Sequence, residues 1–314
     1  MIRMPSKTGR RSEAGVVQCE MLRCREGAPA SAAEGGGDAA AAAASGATDK
    51  DATATEAGGG KSAAEDDLSV EEPLEIRLNG EPIAVLMRTP GDDFDLVAGF
   101  LLTEKIIEKP RDLGSLSFCA TGEPPNAENV VEVRLADGVE FDSERLRRNL
   151  YASSSCGVCG KASIDQLRLE TPPIDGNFII GLEALYALDD GLRRSQAVFD
   201  RTGSLHAAAL FDAEGDILVA REDIGRHNAV DKVVGSYVLA SQLPPTTSIL
   251  MVSGRSSFEI VQKAAMAAIP MVVAVSAPSS LAVDLAREAG ITLVGFLRGR
   301  GCNVYTGAHR IGQG

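Results

Sequence analysis

Forty consecutive residues, Ala28 to Asp67, contain no Leu, Ile, Val, Met or aromatic side chain. Ala, Gly, Thr, Ser and acids remove too little apolar area from water to offset the entropy of ordering the chain. This gap divides the 314 residues. Residues 1–67 read as a disordered Ala/Gly-rich leader, and residues 68–314 as the folded part. Of the net charge of −13, the leader carries −3 and the folded part −10. Such acidity excludes a general nucleic-acid binder, which needs a basic stripe to displace counterions. No apolar run approaches the roughly 20 residues of a membrane span. The N-terminal basic residues lead into no apolar segment of the secretory kind. Six cysteines in such a chain suit a reducing cytoplasm rather than a disulfide scaffold.

The folded part opens with a hairpin pattern. Leu74–Leu78 alternates, Asn79-Gly80 tolerates positive φ, and Ile83–Met87 runs apolar. Thr89-Pro90 then reads as a helix cap and first turn. The stripe Leu96, Val97, Phe100, Leu101, Ile107 has helical spacing. A Pro/Gly/Asn loop at 121–129, a strand at Val130–Leu135 and a charged helix at Asp142–Leu150 complete a small α+β module over residues 68–150. Residues 151–314 form a second unit. Helices are expected at Gly181–Phe199, Asn228–Leu243, Ser256–Ile269 and Ser279–Ala289. Strands are expected at Leu205–Phe211, Ile217–Arg221, Ile249–Val252, Met271–Ser276 and Ile291–Leu297, with another at Asn303–Thr306. Near-continuous Val/Ile runs imply a buried, largely parallel sheet under helices, an α/β fold.

Between the units lies Tyr-Ala-Ser-Ser-Ser-Cys156-Gly-Val-Cys159-Gly, a loop by composition. The C-x-x-C pair admits several readings. Two inert thiols are one. A structural zinc site needs four ligands, but Cys119 and Cys302 are solitary and His206, His227 and His309 have no paired spacing, so no intrinsic metal site is expected. Cys19 and Cys24, in the leader, have no nearby histidine. A thioredoxin-like pair would open a helix directly after a strand; here a serine run precedes it. The last reading is a sulfur carrier, in which a thiolate attacks a persulfide sulfur, holds the atom and passes it on. Gly157 and Gly160 allow the loop to move, and Lys161 favours the thiolate. Spacing leaves sulfur carriage and disulfide exchange both open.

Three further stretches fall where strands give way to turns. Arg221-Glu-Asp-Ile-Gly-Arg-His227-Asn228 offers an imidazole and a helix cap. Ser253-Gly254-Arg255-Ser-Ser257 opens a helix, where free N–H groups favour anions, and Arg255 adds a bidentate fork. Its spacing is not that of a P-loop. Phe296-Leu297-Arg298-Gly299-Arg300-Gly301 follows the last long strand; from 291 to 314 there are three arginines and no acid, a local charge suited to a phosphate or a guanine-bearing ligand. Capping turns and Gly-rich turns share these patterns.

Taken together, the chain resembles the FdhD/NarQ family, the formate dehydrogenase accessory sulfurtransferases. The resemblance is carried by Glu72-Pro-Leu-Glu-Ile, Thr89-Pro-Gly-Asp-Asp-Phe-Asp-Leu-Val-Ala-Gly-Phe-Leu, Ser155-Cys-Gly-Val-Cys-Gly, Arg221-Glu-Asp-Ile-Gly-Arg-His-Asn-Ala-Val-Asp-Lys, Ser253-Gly-Arg and Gly295-Phe-Leu-Arg-Gly, spanning roughly residues 70–312. It implies a cytoplasmic homodimer whose larger domain, 151–314, is a cytidine-deaminase-like three-layer α/β/α unit. It implies a sulfurtransferase that takes sulfur from a cysteine desulfurase and passes it to the Mo-bis(molybdopterin guanine dinucleotide) cofactor of the formate dehydrogenase catalytic subunit. The persulfide-carrying cysteine maps to Cys156, with Cys159 beside it. The cofactor-binding stretch maps to Phe296, Leu297, Arg298, Gly299, Arg300 and Gly301, with Ser253, Gly254, Arg255 and His227 expected nearby. Non-covalent cofactor chaperoning and thiol–disulfide exchange are the alternatives. The long leader departs from the family pattern, as does Cys302, where a larger apolar residue is expected. Deaminase activity is not implied, since the H-x-E and P-C-x-x-C signatures are missing.

Overall fold

The computed structural model describes residues 11–13, 15–25, 60–119, 127–139, 174 and 178–312. The expected helix at Asp142–Leu150 and the Cys156/Cys159 loop lie outside the described residues.

Three strands, β1 (Arg11–Glu13), β2 (Val16–Arg25) and β3 (Gly60–Ser69), form an antiparallel ribbon in order β1-β2-β3. These segments correct the expectation of a leader disordered throughout residues 1–67. Composition misleads here because a strand ladder is held by backbone groups, which polar residues supply as well as apolar ones. The ribbon is also tied down at its base. Val16 is buried, Val70 N donates to Gly15 O, Arg201 pairs with Asp67 at 3.0 Å, and the Ser69 and Ser204 hydroxyls are 2.7 Å apart.

The small sheet has the order β5-β4-β7-β6, from β4 (Glu72–Leu78), β5 (Glu81–Arg88), β6 (Leu113–Phe118) and β7 (Val130–Leu135). Asn79 and Gly80 both take positive φ, 52° and 87°, as the two-residue β4–β5 turn requires. Strand β6 escapes the sequence pattern because Gly-Ser-Leu-Ser has little β propensity; it is held by pairing to β7. Helix α1 spans Asp93–Thr103 with Asp92, not Thr89, at its N-cap. Thr89 is instead buried, and its N–H donates to Asp223.

The large sheet runs β13-β12-β11-β10-β8-β9, built from β8 (His206–Phe211), β9 (Ile217–Asp223), β10 (Ile249–Val252), β11 (Met271–Ala274), β12 (Thr292–Arg298) and β13 (Gly301–Thr306). Only β10–β11 and β11–β12 are parallel. The other three pairings are antiparallel, so the expected largely parallel sheet is corrected to a mixed one. The two hairpins, β8–β9 and β12–β13, add reversed strands that buried apolar runs do not distinguish from parallel ones. The helix expected at Gly181–Phe199 is two helices, α2 (Leu182–Arg194) and α3 (Ala197–Thr202), broken at Ser195-Gln196. Then come α4 (Arg226–Leu239), α5 (Phe258–Met266) and α6 (Ser280–Glu288).

Strand alternation sends two sets of side chains to opposite faces. Ala207, Ala209, Phe211, Met251 and Val273 pack with Leu185, Leu188 and Leu192 of α2. Ala208, Leu210, Leu250, Val252 and Val272 pack under α4, α5 and α6, and the same core runs on through α1 to Leu74, Ile76 and Val131 of the small sheet. Helices α1 and α4 cross in close contact at two glycines. A Cβ on Gly99 would overlap the carbonyl of Asp231, and one on Gly235 that of Asp95.

Candidate functional site at the carboxyl edge of the large sheet

The carboxyl ends of β9, β10, β11 and β12 and the start of β8 share one edge of the large sheet, since β8 alone among them runs the opposite way. Crevices outside strand carboxyl ends are where open α/β sheets bind ligands. Ser253 closes the β8–β10 ladder there. Its N–H donates to Ala207 O at 3.0 Å, and its Oγ accepts from Ala207 N at 2.9 Å. Gly254 leaves space beside His206, whose Nδ1 is the nearest atom to a Cβ built on it, at 3.5 Å. Arg255 points into solvent and makes no ion pair among the described residues. The neighbouring turns are stitched to this one by Ser279 N to Ser256 O at 3.0 Å and Phe296 N to Ser276 O at 3.2 Å.

The turn after β9 is fixed from below. Buried Asp223 accepts from Thr89 N (3.1 Å), Gly225 N (2.8 Å) and Asn228 Nδ2 (2.9 Å), and pairs with Lys232 at 2.8 Å. All its lone pairs are engaged, so the carboxylate is a structural clamp. The clamp holds Arg226 and His227 at the start of α4. Arg226 Nε donates to His227 Nε2 at 3.4 Å, and Glu259 Oε2 lies 3.8 Å from the same nitrogen. Burial, then Lys263 and Arg226, push the imidazole of His227 down to about 4. It is therefore neutral near pH 7 and offers hydrogen bonds rather than charge.

The β12–β13 turn carries the arginine-rich stretch. Phe296 is exposed with φ 56°, whereas Leu297 is fully buried in the second core, so Leu297 offers a ligand only its backbone. Gly299 takes φ 53°, and its N–H donates to Asp189 Oδ2 at 3.4 Å. Arg298 is exposed and without an ion pair among the described residues. Arg300 makes a two-pronged contact with Glu183 and lies over the Tyr186 ring, 5.4 Å from its centroid. Gly301 opens β13. Cys302, beside it, is half-buried against the second core, and burial pushes its thiol up.

The edge thus gathers Ser253, Gly254, Arg255 and His227 on neighbouring turns, with Phe296–Gly301 on the next hairpin. Cys156 and Cys159 lie outside the described residues. Sequence reasoning missed His206, which opens β8 directly beside Ser253 and lines a cavity of about 350 Å³ with it. Its imidazole is pushed down, by burial first and then by Arg226. A solitary histidine carries no local signal; only the antiparallel pairing of β8 with β10 brings it to the edge. A second cavity, about 480 Å³, surrounds Arg88, but that guanidinium is already paired with Asp93 at 2.9 Å and 3.1 Å.

The family model for FdhD/NarQ matches residues 69–312. A Streptomyces coelicolor protein named sulfur carrier protein FdhD is 55% identical over 259 residues, covering 80% of this chain and 90% of that protein. A Mycobacterium tuberculosis protein of the same name is 53% identical over 251 residues, covering 78% and 91%. A crystal structure from Desulfotalea psychrophila, described as a formate dehydrogenase accessory protein, superposes with a TM-score of 0.63 at 26% identity, covering 80% of this chain and 94% of that one.

Proposed function

The chain belongs to the FdhD/NarQ family, and on that premise we propose that it is a sulfur carrier serving formate dehydrogenase, with Cys156 as the atom-bearing residue. The observation that carries this reading is the 55% identity, over most of both chains, to a protein named for sulfur carriage, joined to a C-x-x-C pair in a Gly/Ser-rich stretch of the sequence. The Cys156 thiolate attacks the outer sulfur of a persulfide on a cysteine desulfurase. A new S–S bond forms, the donor S–S bond breaks, and the donor cysteine leaves as a thiolate. Delivery reverses this at the second partner. Cys156 is released as a thiolate, and the acceptor supplies the two electrons that turn the sulfur atom into sulfide.

The acceptor in this reading is the Mo-bis(molybdopterin guanine dinucleotide) of the dehydrogenase, a substrate and not a resident group. The carboxyl edge suits its nucleotide ends. Arg255 and Arg298 are exposed and without an ion pair among the described residues, and the glycines at 254, 299 and 301 allow close approach. The wider reading is of a cytoplasmic homodimer whose large sheet is cytidine-deaminase-like. Helices on both faces and a single reversed strand, β8, inside the sheet support that arrangement. No helix among the described residues is long and apolar enough to cross a membrane.

The test is transfer from desulfurase and labelled cysteine to the purified chain. Wild type and Cys159→Ala retain label, with a mass gain of about 32 Da on the loop, and Cys156→Ala retains none. Full labelling of Cys156→Ala would overturn the assignment. A chain that binds cofactor but never gains the mass would be a non-covalent chaperone.

A further inference from the structure

Three apolar side chains from three elements stay uncovered around one cavity. Phe118 closes β6 and is 38% exposed, and Leu239 closes α4 and is 43% exposed. Phe94 of α1 is half-buried, with its ring centroid 4.7 Å from that of Phe118. All three line the cavity of about 480 Å³ beside Arg88. A lone exposed leucine is ordinary on a protein surface, but apolar groups that converge on a concave place mark a binding surface. No residue of the turns at 253–257 or 296–301 lines this cavity, so the surface is separate from the edge described above.

The walls choose the charge of the occupant. Five carboxylates, of Glu72, Asp92, Asp93, Asp95 and Glu128, line the cavity against one cation, Arg88. Arg88 is engaged by Asp93 at 2.9 Å and 3.1 Å and lies 3.6 Å from Glu72. Arg221, on β9, reaches Asp95 at 2.7 Å and Asp92 at 3.4 Å. Two guanidinium groups thus face five acids, and Glu128 is exposed with no ion pair among the described residues. An anion or a nucleic acid is repelled from such a wall. A bare metal ion is not suited either, since no group of three or more His, Cys, Asp or Glu among the described residues could hold one. The complement is an organic cation with apolar neighbours. A guanidinium or ammonium is drawn to aromatic rings as well as to carboxylates, and its methylene stem covers apolar surface.

We propose that this cavity is a docking site for a partner protein, and that it seats a segment carrying arginine or lysine beside an apolar residue. The cation lies between Glu128 and the Phe94–Phe118 pair, and the apolar residue covers Leu239. Space of this size takes a few side chains rather than a domain face, so the affinity is that of a transient encounter.

The probe is a short fluorescein-labelled peptide of alternating Leu and Arg, read by anisotropy on the full chain, with Leu/Gln and Leu/Glu peptides beside it. The Leu/Arg peptide binds with a Kd on the order of 10–100 μM, the Leu/Gln peptide roughly tenfold more weakly, and the Leu/Glu peptide not at all. Glu128→Lys weakens binding of the Leu/Arg peptide about tenfold, and Leu239→Ser about fivefold. Both side chains are exposed, so the melting temperature stays at the wild-type value. Asp284→Lys makes the same charge change at an exposed position on α6 that does not line the cavity, and it leaves binding unchanged. No binding by the Leu/Arg peptide, equal binding by the Leu/Glu peptide, wild-type binding in Glu128→Lys or Leu239→Ser, or an equal loss in Asp284→Lys would each overturn the proposal. A dimer in solution that Glu128→Lys dissociates would make a second copy of this chain the occupant and would overturn it likewise.

Discussion

The carboxyl edge of the large sheet and the seam between α1, α4 and α5 are both rich in cations, yet they treat them in opposite ways. In the seam Arg88, Lys232 and Lys263 are all but inaccessible, and each meets carboxylates. Arg88 grips Asp93, Lys232 meets Asp223 at 2.8 Å, and Lys263 meets Asp231 at 2.9 Å and Glu104 at 2.8 Å. Burial opposes the charge on Lys263, but the two carboxylates outweigh it and hold the ammonium firmly protonated. At the edge Arg255 and Arg298 stand exposed and unmatched among the described residues. A buried ion must be paired to be tolerated at all, so the seam's charges fix how the helices register. An exposed, unmatched one costs little and stays available to an anion.

The sharpest way to break this contrast is to unpair the seam. Lys263→Met leaves Asp231 buried without its counter-ion and is expected to cost about 3–5 kcal/mol, read from urea denaturation. Adding Asp231→Asn to it recovers most of the loss. A single variant as stable as wild type would show that the seam does not depend on pairing.

His227 sits between the two regions, at the edge but against Lys263, and pH separates its contributions. Its folded value of about 4 lies below the unfolded one near 6.5, so the unfolded chain takes up the proton more readily. The stability it confers is complete above about pH 6.5 and is lost as pH falls toward 4. Melting temperatures across that window should fall less steeply in His227→Gln than in wild type. Parallel curves would place His227 with the freely solvated groups of the edge.

The smallest structural effect is expected where the ligand effect is clear. Replacing Arg255 and Arg298 together by Ala should leave the melting temperature unchanged and weaken guanosine diphosphate binding about tenfold, through loss of charge-assisted contacts. Calorimetry at two salt concentrations checks this, with a shallower salt dependence in the variant. A fall in stability instead would move these arginines into the structural class.

Much of this division was hidden in the sequence for a physical reason. The stretch from Arg221 to Lys232 reads as one polar motif, yet Asp223 and Lys232 fold inward as a clamp while Arg226 and His227 face the edge. Local pattern reports which residues share a helix face, not which side chain finds a carboxylate elsewhere. The cap of α3 shows the same limit, since it comes from Glu222 on β9 and not from Gln196 at the N-cap position. The ribbon of β1–β3 was missed because its hydrogen bonds belong to the backbone.

The sequence by itself determined the strands of the large sheet, the helices α4, α5 and α6, the Asn79-Gly80 turn and the turns that carry Ser253–Ser257 and Phe296–Gly301, because these follow from short-range periodicity and φ preference. Tertiary structure alone decided that the sheet is mixed, that Leu297 is core while Phe296 is exposed, that His206 joins Ser253, and which cations are paired. Those outcomes depend on contacts between separate elements, such as Ala207 with Ser253 across the sheet and Lys263 with Glu104 between helices. Burial and charge pairing are properties of such contacts and have no signature along the chain.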